Sequence, residues 1–191
     1  VLSRRQRQMC IRDRSSSGQS LVNMMDLDLL VGSGGVLSHA PRRQQSARML
    51  IDAFMPEGIT QLAVDSIFMM PQLGVLANID KDELKEDASQ AALEVFDNDC
   101  LIRLGTCVTP VGNAKPNSKM ADVTLTFGDG TVKEIEINEG SLEMMEHPYE
   151  EVKVHIKPSR SIDVGAGKGE ELESVISVSY THLRAHETEE N

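Results

Sequence analysis

An apolar run that ends in a cluster of glycines constrains the fold of this chain more than any other feature. Residues 28–31 read DLLV and lead directly into Gly32, Ser33, Gly34 and Gly35. An apolar run followed by glycines is typical of a buried strand that turns sharply at its C-terminal end. Residues 59–64 predict a second strand, which ends at Asp65.

Helical spacing lies between and after these two strands. Pro41 is predicted to be the first residue of a helix, with Ser38 as its cap. The apolar stripe of this helix has i, i+3, i+4, i+7 spacing and comprises Ala47, Leu50, Ile51 and Phe54. Residues 67–77 are apolar and predict a short buried helix. Strand, helix, strand, helix is the pattern of an α/β fold with a mostly parallel sheet.

Residues 80–112 continue this α/β part. Residues 80–96 predict a second amphipathic helix, and residues 101–108 predict a strand. The buried side of this helix is predicted to contain Leu84, Ala88, Ala91 and Val95. Residues 110–118 hold two prolines, a glycine and two asparagines, which favours a linker or an exposed loop.

Alternating polar and apolar residues replace the helical spacing after residue 118. Residues 122–127 and 131–137 predict a hairpin around Gly128-Asp129-Gly130, with a bulge at Val132, which is out of phase with the isoleucines that follow. Residues 152–157 alternate again. Residues 119–158 therefore predict an antiparallel β module that follows the α/β part.

Charge and cysteine content exclude several classes of function. The chain has 19 Lys and Arg against 30 Asp and Glu, a formal charge of −11, and it has no Trp. Such an acidic chain repels phosphate backbones and has few rings for base stacking, so we expect no nucleic-acid partner. No apolar stretch is long enough to span a membrane. Three Cys are too few for a disulfide framework or a Cys-rich zinc site, which favours the cytoplasm.

The two ends of the chain differ from the rest. Residues 1–14 hold five Arg and one Asp, and they lack the apolar region of a secretory signal. A transit peptide or a basic nucleic-acid arm is one interpretation. We favour another, because QRQMCIRDR and VSYTHLRAHET resemble conceptual translations of sequencing-adapter DNA. Residues 1–14 and 178–191 are therefore expected to be adapter artefacts and are left out of the interpretation of the fold.

The glycine cluster is the best candidate for a ligand site. Glycines have no Cβ, so a ligand can approach the backbone, and a helix that starts there can direct free N–H groups at a nucleotide. The residues lack the sequence of a P-loop and the spacing of a dinucleotide-binding motif, so a tight structural turn remains the alternative. A second cluster, Gly165, Gly167 and Gly169, is expected to form a flexible loop.

Two further side chains are candidates beside the glycine cluster. Asp65 follows a predicted strand at the end where α/β proteins bind ligands, although it can equally cap the next helix. His39 is close enough in sequence to reach a ligand at the glycines, although a structural hydrogen bond is the alternative. His147 and His155 have no Cys or His at ligand spacing, so no metal site is predicted.

Residues 28–77 resemble the glutamate mutase accessory family called MutL or GlmL, which is unrelated to the mismatch-repair protein of the same name. The resemblance lies in GSGGVLSHAP, LIDAF, PEGIT, LAVDS and MPQLGVLA at matching spacings. It continues in RLGTCVTPVG at 103–112 and in IDVGAGKGEE at 162–171. Nearly all of residues 26–174 take part.

The resemblance implies a fold and a site. The family belongs to the actin, Hsp70 and sugar-kinase superfamily, in which two α/β halves close on ATP and Mg²⁺. Residues 15–112 would be the second nucleotide-binding half and residues 113–177 a β-rich C-terminal module. Nucleotide-binding residues would be Gly32, Ser33, Gly34, Gly35, His39 and Asp65. The helix around Gly74 would pack between the two halves.

The resemblance also implies a function. The family is expected to reactivate, as an ATP-dependent chaperone, adenosylcobalamin-dependent mutases such as glutamate (methylaspartate) mutase or aminomutases. Mutase subunits would be the partners, and cobalamin would be contacted only through them. The residues of the first half that bind phosphate are missing, so this fragment is expected not to hydrolyse ATP. A small-molecule kinase of the same superfamily and a non-catalytic docking scaffold remain the alternatives.

Overall fold

A computed structural model of the chain describes residues 23–78, 87–143, 145 and 151–177, which form a mixed α/β structure with three sheets. The expected adapter segments 1–14 and 178–191 lie outside these residues, as do Leu84 and His147. The α/β part of the fold prediction is therefore confirmed for the described residues.

The helices and strands follow one another in this order after a single 3₁₀ turn, Met24–Asp26: β1 Leu29–Ser33, α1 Gly35–Ser38, α2 Arg43–Phe54, β2 Gly58–Asp65, α3 Met70–Ala77, α4 Asp87–Val95, a π-helical turn Phe96–Cys100, β3 Leu101–Thr109, β4 Val111–Gly112, β5 Lys119–Phe127, β6 Val132–Asn138, β7 Glu151–Pro158, β8 Ile162–Asp163 and β9 Leu172–Ser177.

The first sheet has the order β1-β2-β3 and is built around a parallel pair. β1 and β2 run in the same direction, with Leu29 opposite Gln61 and Ser33 opposite Asp65. Helix α2 covers one face of this pair and confirms the predicted apolar stripe. The cluster beneath the helix contains Leu30, Ala47, Leu50, Leu62 and Val64, with Ile51 and Phe54 packed against it.

The expectation of a mostly parallel sheet is wrong for β3, which pairs with β2 in the antiparallel sense. The reason is the end at which the chain returns to the sheet. The backbone N–H and the hydroxyl of Ser66 donate to the Cys100 carbonyl at 2.9 and 2.8 Å, directly after β2 and directly before β3. Helices α3 and α4 thus leave and return at the same end, so β3 must run back along β2.

Helix α2 begins later than predicted. Its first residue is Arg43, two residues after Pro41. The side chain of Ser38, predicted to cap the helix, donates instead to the Asp65 carbonyl at 2.8 Å. The backbone N–H of Arg42 donates to Oε1 of Gln45 at 3.2 Å, so a glutamine in the first turn supplies the cap.

Helices α3 and α4 are less buried than their sequences predict. Within α3 only Leu73 is buried, and Val75 is 68 % exposed. Within α4, Ala92 is buried, and Ala88 of the predicted buried side is half-buried. Ala91 and Val95 are exposed, so the predicted buried side is wrong at these two positions. The reason is that the two helices bury mainly one narrow face each, around Leu73, Ala92 and Cys100.

The predicted antiparallel β module is confirmed as a four-stranded sheet of order β6-β5-β7-β9. Its inner face buries alternate residues of β5 and β7, as the sequence pattern predicts. The predicted bulge at Val132 is wrong. Val132 pairs in register with Thr126 and is exposed, because it lies on the outer face, and the irregularity lies between Lys119 and Ala121.

The β1-β2-β3 sheet and the four-stranded sheet of the β module meet at one end of the β2–β3 pair. Ile59 and Val108 pair across these strands and pack against the core of the β module. β4, in the predicted loop 110–118, pairs with β8. In the described parts of the chain, none of the helices has the length and apolar content that a membrane span requires.

Truncation of Leu50 should test the core beneath helix α2. Leu50 is 1 % exposed, and Leu50→Ala is expected to lower the free energy of unfolding by about 2–5 kcal/mol. The matched control is Leu93→Ala, because Leu93 is 58 % exposed and its loss should change stability by less than about 0.5 kcal/mol. Urea unfolding measures both variants, and equal losses would contradict this assignment of the core.

Candidate functional site

The glycine turn, Gly32–Gly35, lies where β1 ends and helix α1 begins. Gly32 and Gly34 are glycines for two different physical reasons. A Cβ on Gly32 would lie 2.7 Å from Cδ1 of Leu37 and 2.9 Å from Cδ2 of Leu50, so this position is glycine because the helices pack closely on the strand. Gly34 has φ 126° and ψ 148°, a conformation that side chains other than glycine rarely adopt.

Gly35 has neither constraint. Its φ is not positive, and a Cβ there would meet no heavy atom within 4 Å. Gly35 and Ser33 are both exposed, and Val36, the next residue, is 76 % exposed. The turn therefore presents an open backbone surface that a ligand can approach, and no internal packing explains the glycine at position 35.

Ser33 and Asp65 are brought together by the parallel pairing of β1 and β2. They are opposite each other at the C-terminal ends of the two strands, which is the edge where open α/β sheets bind ligands. Oγ of Ser33 lies 3.5 Å from Oδ2 of Asp65, a long contact for a hydroxyl donor. The Ser33 side chain is thus exposed and weakly held.

Asp65 is fully buried, and its carboxylate receives two backbone N–H groups at the start of helix α3. Met69 donates to Oδ1 at 3.2 Å, and Met70 donates to Oδ2 at 3.1 Å. Asp65 therefore caps the next helix, as one of its two predicted roles requires, and it also lies beside the glycine turn, where the predicted ligand role would place it. An anionic oxygen at a helix N-terminus is favoured by the helix dipole.

His39 and its neighbour Ser38 differ in their exposure to solvent. His39 is exposed just after α1, and its backbone N–H donates to the Gly35 carbonyl at 3.0 Å. The sequence analysis did not identify Ser38 as a neighbour of Asp65 at the glycine turn. It is buried and donates to Asp65, and the sequence signal that was available, its nearness to Pro41, favoured a helix cap instead.

The loop of the second glycine cluster is held by hydrogen bonds to Asp163. Oδ1 of Asp163 accepts from the backbone N–H of Gly165 at 2.8 Å and of Gly167 at 3.1 Å. Gly169 donates to the Ile162 carbonyl at 2.8 Å. These three hydrogen bonds give the expected loop a defined shape and use the N–H groups of all three glycines internally.

No three His, Cys, Asp or Glu side chains of the described residues come together as a metal-binding group. His155 instead contacts Glu171, with 2.9 Å between Nε2 and Oε2. Hydrogen bonds from Lys157 and from His155 lower the pKa of the Glu171 carboxyl. The described cysteines, Cys100 and Cys107, are both free thiols.

Alanine substitutions at Gly34 and Gly35 should distinguish the backbone strain at Gly34 from the open space at Gly35. Gly34→Ala is expected to lower the free energy of unfolding by about 1–3 kcal/mol, because alanine is strained at φ 126°. Gly35→Ala should leave it unchanged or raise it by up to about 1 kcal/mol, because alanine fits a helical residue with open space around it. Thermal unfolding compares the pair. A greater loss for Gly35→Ala would contradict the geometry of the turn.

Cys100 should make stability fall at alkaline pH. Burial raises the pKa of its thiol, and the carboxylates of Asp65 and Asp99 raise it further. The unfolded chain therefore loses this proton at lower pH, the folded state holds more protons above about pH 8.5, and stability falls as the pH rises. Cys100→Ala should flatten this decline in urea unfolding between pH 8 and 10. An unchanged slope would contradict the raised pKa.

Comparison with known proteins adds a family assignment. A family model described as MutL protein matches residues 5–94, which include β1, the glycine turn, α2, β2 and α3. No curated protein and no solved structure matches the chain. The match includes part of segment 1–14, whose expected origin remains a prediction, as do the domain boundaries.

The matched residues contain the motifs of the resemblance from GSGGVLSHAP to MPQLGVLA, whereas RLGTCVTPVG and IDVGAGKGEE lie outside the match. The structure places these motifs around one parallel strand pair, with the glycine turn at its C-terminal edge. The match to the MutL protein family confirms the resemblance to the glutamate mutase accessory family over residues 5–94.

Proposed function

We propose that the chain is part of an ATP-dependent accessory protein that reactivates an adenosylcobalamin-dependent mutase. The observation that carries this proposal is the match of residues 5–94 to the MutL family, because it spans the open glycine turn. The mutase is of the glutamate (methylaspartate) or aminomutase type. The protein acts in the cytoplasm, with mutase subunits as partners and no role for nucleic acid or a membrane.

The glycine turn supports the nucleotide part of the proposal. The exposed Ser33 and the open space at Gly35 suit a polar ligand that approaches the backbone closely. In the proposed complex the nucleotide lies against Gly32, Ser33, Gly34 and Gly35, with His39 at the rim and Asp65 behind Ser33. The fold is then the second half of an actin/Hsp70/sugar-kinase-like ATPase, and a first half supplies the remaining contacts to phosphate and Mg²⁺.

ATP hydrolysis would supply the free energy that drives opening of the mutase and release of a damaged cobalamin. The residues of this chain contribute binding and orientation. The parallel pairing of β1 and β2 fixes Ser33 at the edge of the sheet, and close packing at Gly32 holds the turn against α2. Cobalamin itself is contacted only by the mutase.

Release of inactive cobalamin from the mutase tests this function. The full-length protein should release cyanocobalamin from its mutase when ATP and Mg²⁺ are present. Gly35→Val should slow this release about tenfold or more, because the side chain occupies the space where the nucleotide approaches, a loss of roughly 1.4 kcal/mol in nucleotide binding. Absorbance of the released cobalamin after filtration measures the rate.

The matched control is Gly128→Val in the β hairpin. Gly128 is also exposed with no heavy atom within 4 Å of a Cβ, but it lies in the β module, away from the turn. This variant should release cobalamin at the wild-type rate. Mutase binding that is independent of nucleotide would favour the scaffold, and phosphorylation of a small molecule would favour the kinase. Either result would contradict the reactivating function.

A further inference from the structure

Asp65 connects the glycine turn with helix α3 through atoms on both its side chain and its backbone. Its carbonyl accepts from the Ser38 hydroxyl at 2.8 Å, and its carboxylate accepts from Met69 and Met70 at 3.2 and 3.1 Å. The residue is 0 % exposed. One buried residue therefore contacts the element that follows the turn and the element that follows β2.

The contacts on the side of the turn differ in strength. The Ser38 hydroxyl is buried and makes a short hydrogen bond, whereas the Ser33 hydroxyl is 3.5 Å from Oδ2 and is exposed. The same Oδ2 atom accepts from Met70. A ligand that attracts the Ser33 hydroxyl would leave Oδ2 with Met70 as its partner, and a ligand that moves α1 would displace Ser38 together with the Asp65 carbonyl.

Helix α3 is anchored at the residues before its N-terminus and is packed against the rest of the structure on one side only. The chain before it is anchored by Ser66, whose N–H and hydroxyl both donate to Cys100. Along its length the helix buries Leu73 against α4. Its outer surface is apolar and exposed, since Val75 is 68 % and Leu76 is 38 % exposed. The hydrogen bonds from Asp65 thus fix the N-terminus of a helix that is packed on one side.

We propose that Asp65 is a positioning residue that couples the glycine turn to helix α3, so that a nucleotide at the turn shifts this helix and its apolar outer surface. The inference rests on the proposed function and names a form of regulation of the same site. The physical reason is that the buried carbonyl and the buried carboxylate of Asp65 must both keep their hydrogen-bond donors, so the strand ends and the helix N-terminus adjust together.

Two variants interrupt the coupling at different atoms. Ser38→Ala removes the hydroxyl that donates to the Asp65 carbonyl, and Asp65→Asn changes the group that accepts from Met69 and Met70. The matched control is Ser46→Ala. Ser46 is also buried, and its hydroxyl donates to the Leu37 carbonyl at 2.7 Å without contacting Asp65. Each substitution removes or weakens hydrogen bonds near the turn.

The experiment compares hydrogen exchange of the α3 amides in the full-length protein with and without ATP, alongside the ATP dissociation constant. In the wild-type protein and in Ser46→Ala, ATP should change the exchange rates of residues 70–77 by about threefold or more, the scale of one hydrogen bond. In Ser38→Ala the ATP dissociation constant should stay within about threefold of wild type, while the response of α3 falls by at least half. Asp65→Asn, where it folds, should lose the response as well.

The outcomes separate this inference from the proposed function. ATP binding with no change in α3 of the wild-type protein would overturn the coupling and leave nucleotide binding intact. A full response in Ser38→Ala, or an equal loss in Ser46→Ala, would also overturn it. Failure of the wild-type protein to bind ATP would overturn the proposed function and the coupling together.

Discussion

The parallel pairing of β1 with β2 is the constraint on which the rest of the candidate site depends. It places Ser33 directly opposite Asp65, at the edge where both strands end. The glycine turn begins at that edge because Gly32 lets Leu37 and Leu50 pack against the strand without a Cβ between them. A shift of this register would move Ser33 away from Asp65 and would separate the turn from helix α3.

Local patterns in the sequence predicted the elements that lie around this pair. The DLLV run, the stripe of helix α2 and the alternation in β5 and β7 each reflect burial on one face, and burial leaves a clear period in sequence. The direction of β3 left no such signal. It depends on the hydrogen bonds of Ser66 to Cys100, which are 34 residues apart, so only the tertiary structure reveals it.

The same distinction applies to the candidate site. Glycines after an apolar run predicted an open turn, and Gly35 has the open space that this interpretation requires. The role of Ser38 was not predictable, because its partner is a backbone carbonyl 27 residues away and a nearby proline suggested a cap. The exposed apolar surface of α3 was predicted to be buried, since composition reports the apolar character of a helix and not which neighbours cover it.

Nucleotide binding at the glycine turn is the central claim, and an ATP footprint tests it most directly. Hydrogen exchange of the full-length protein with Mg²⁺ would be measured at residues 33–39 in the presence and absence of ATP. We predict slower exchange at Gly35 and Val36, because a bound nucleotide covers these two exposed residues at the start of α1. Bound ATP that leaves these amides unchanged, or no binding of ATP at all, would contradict it.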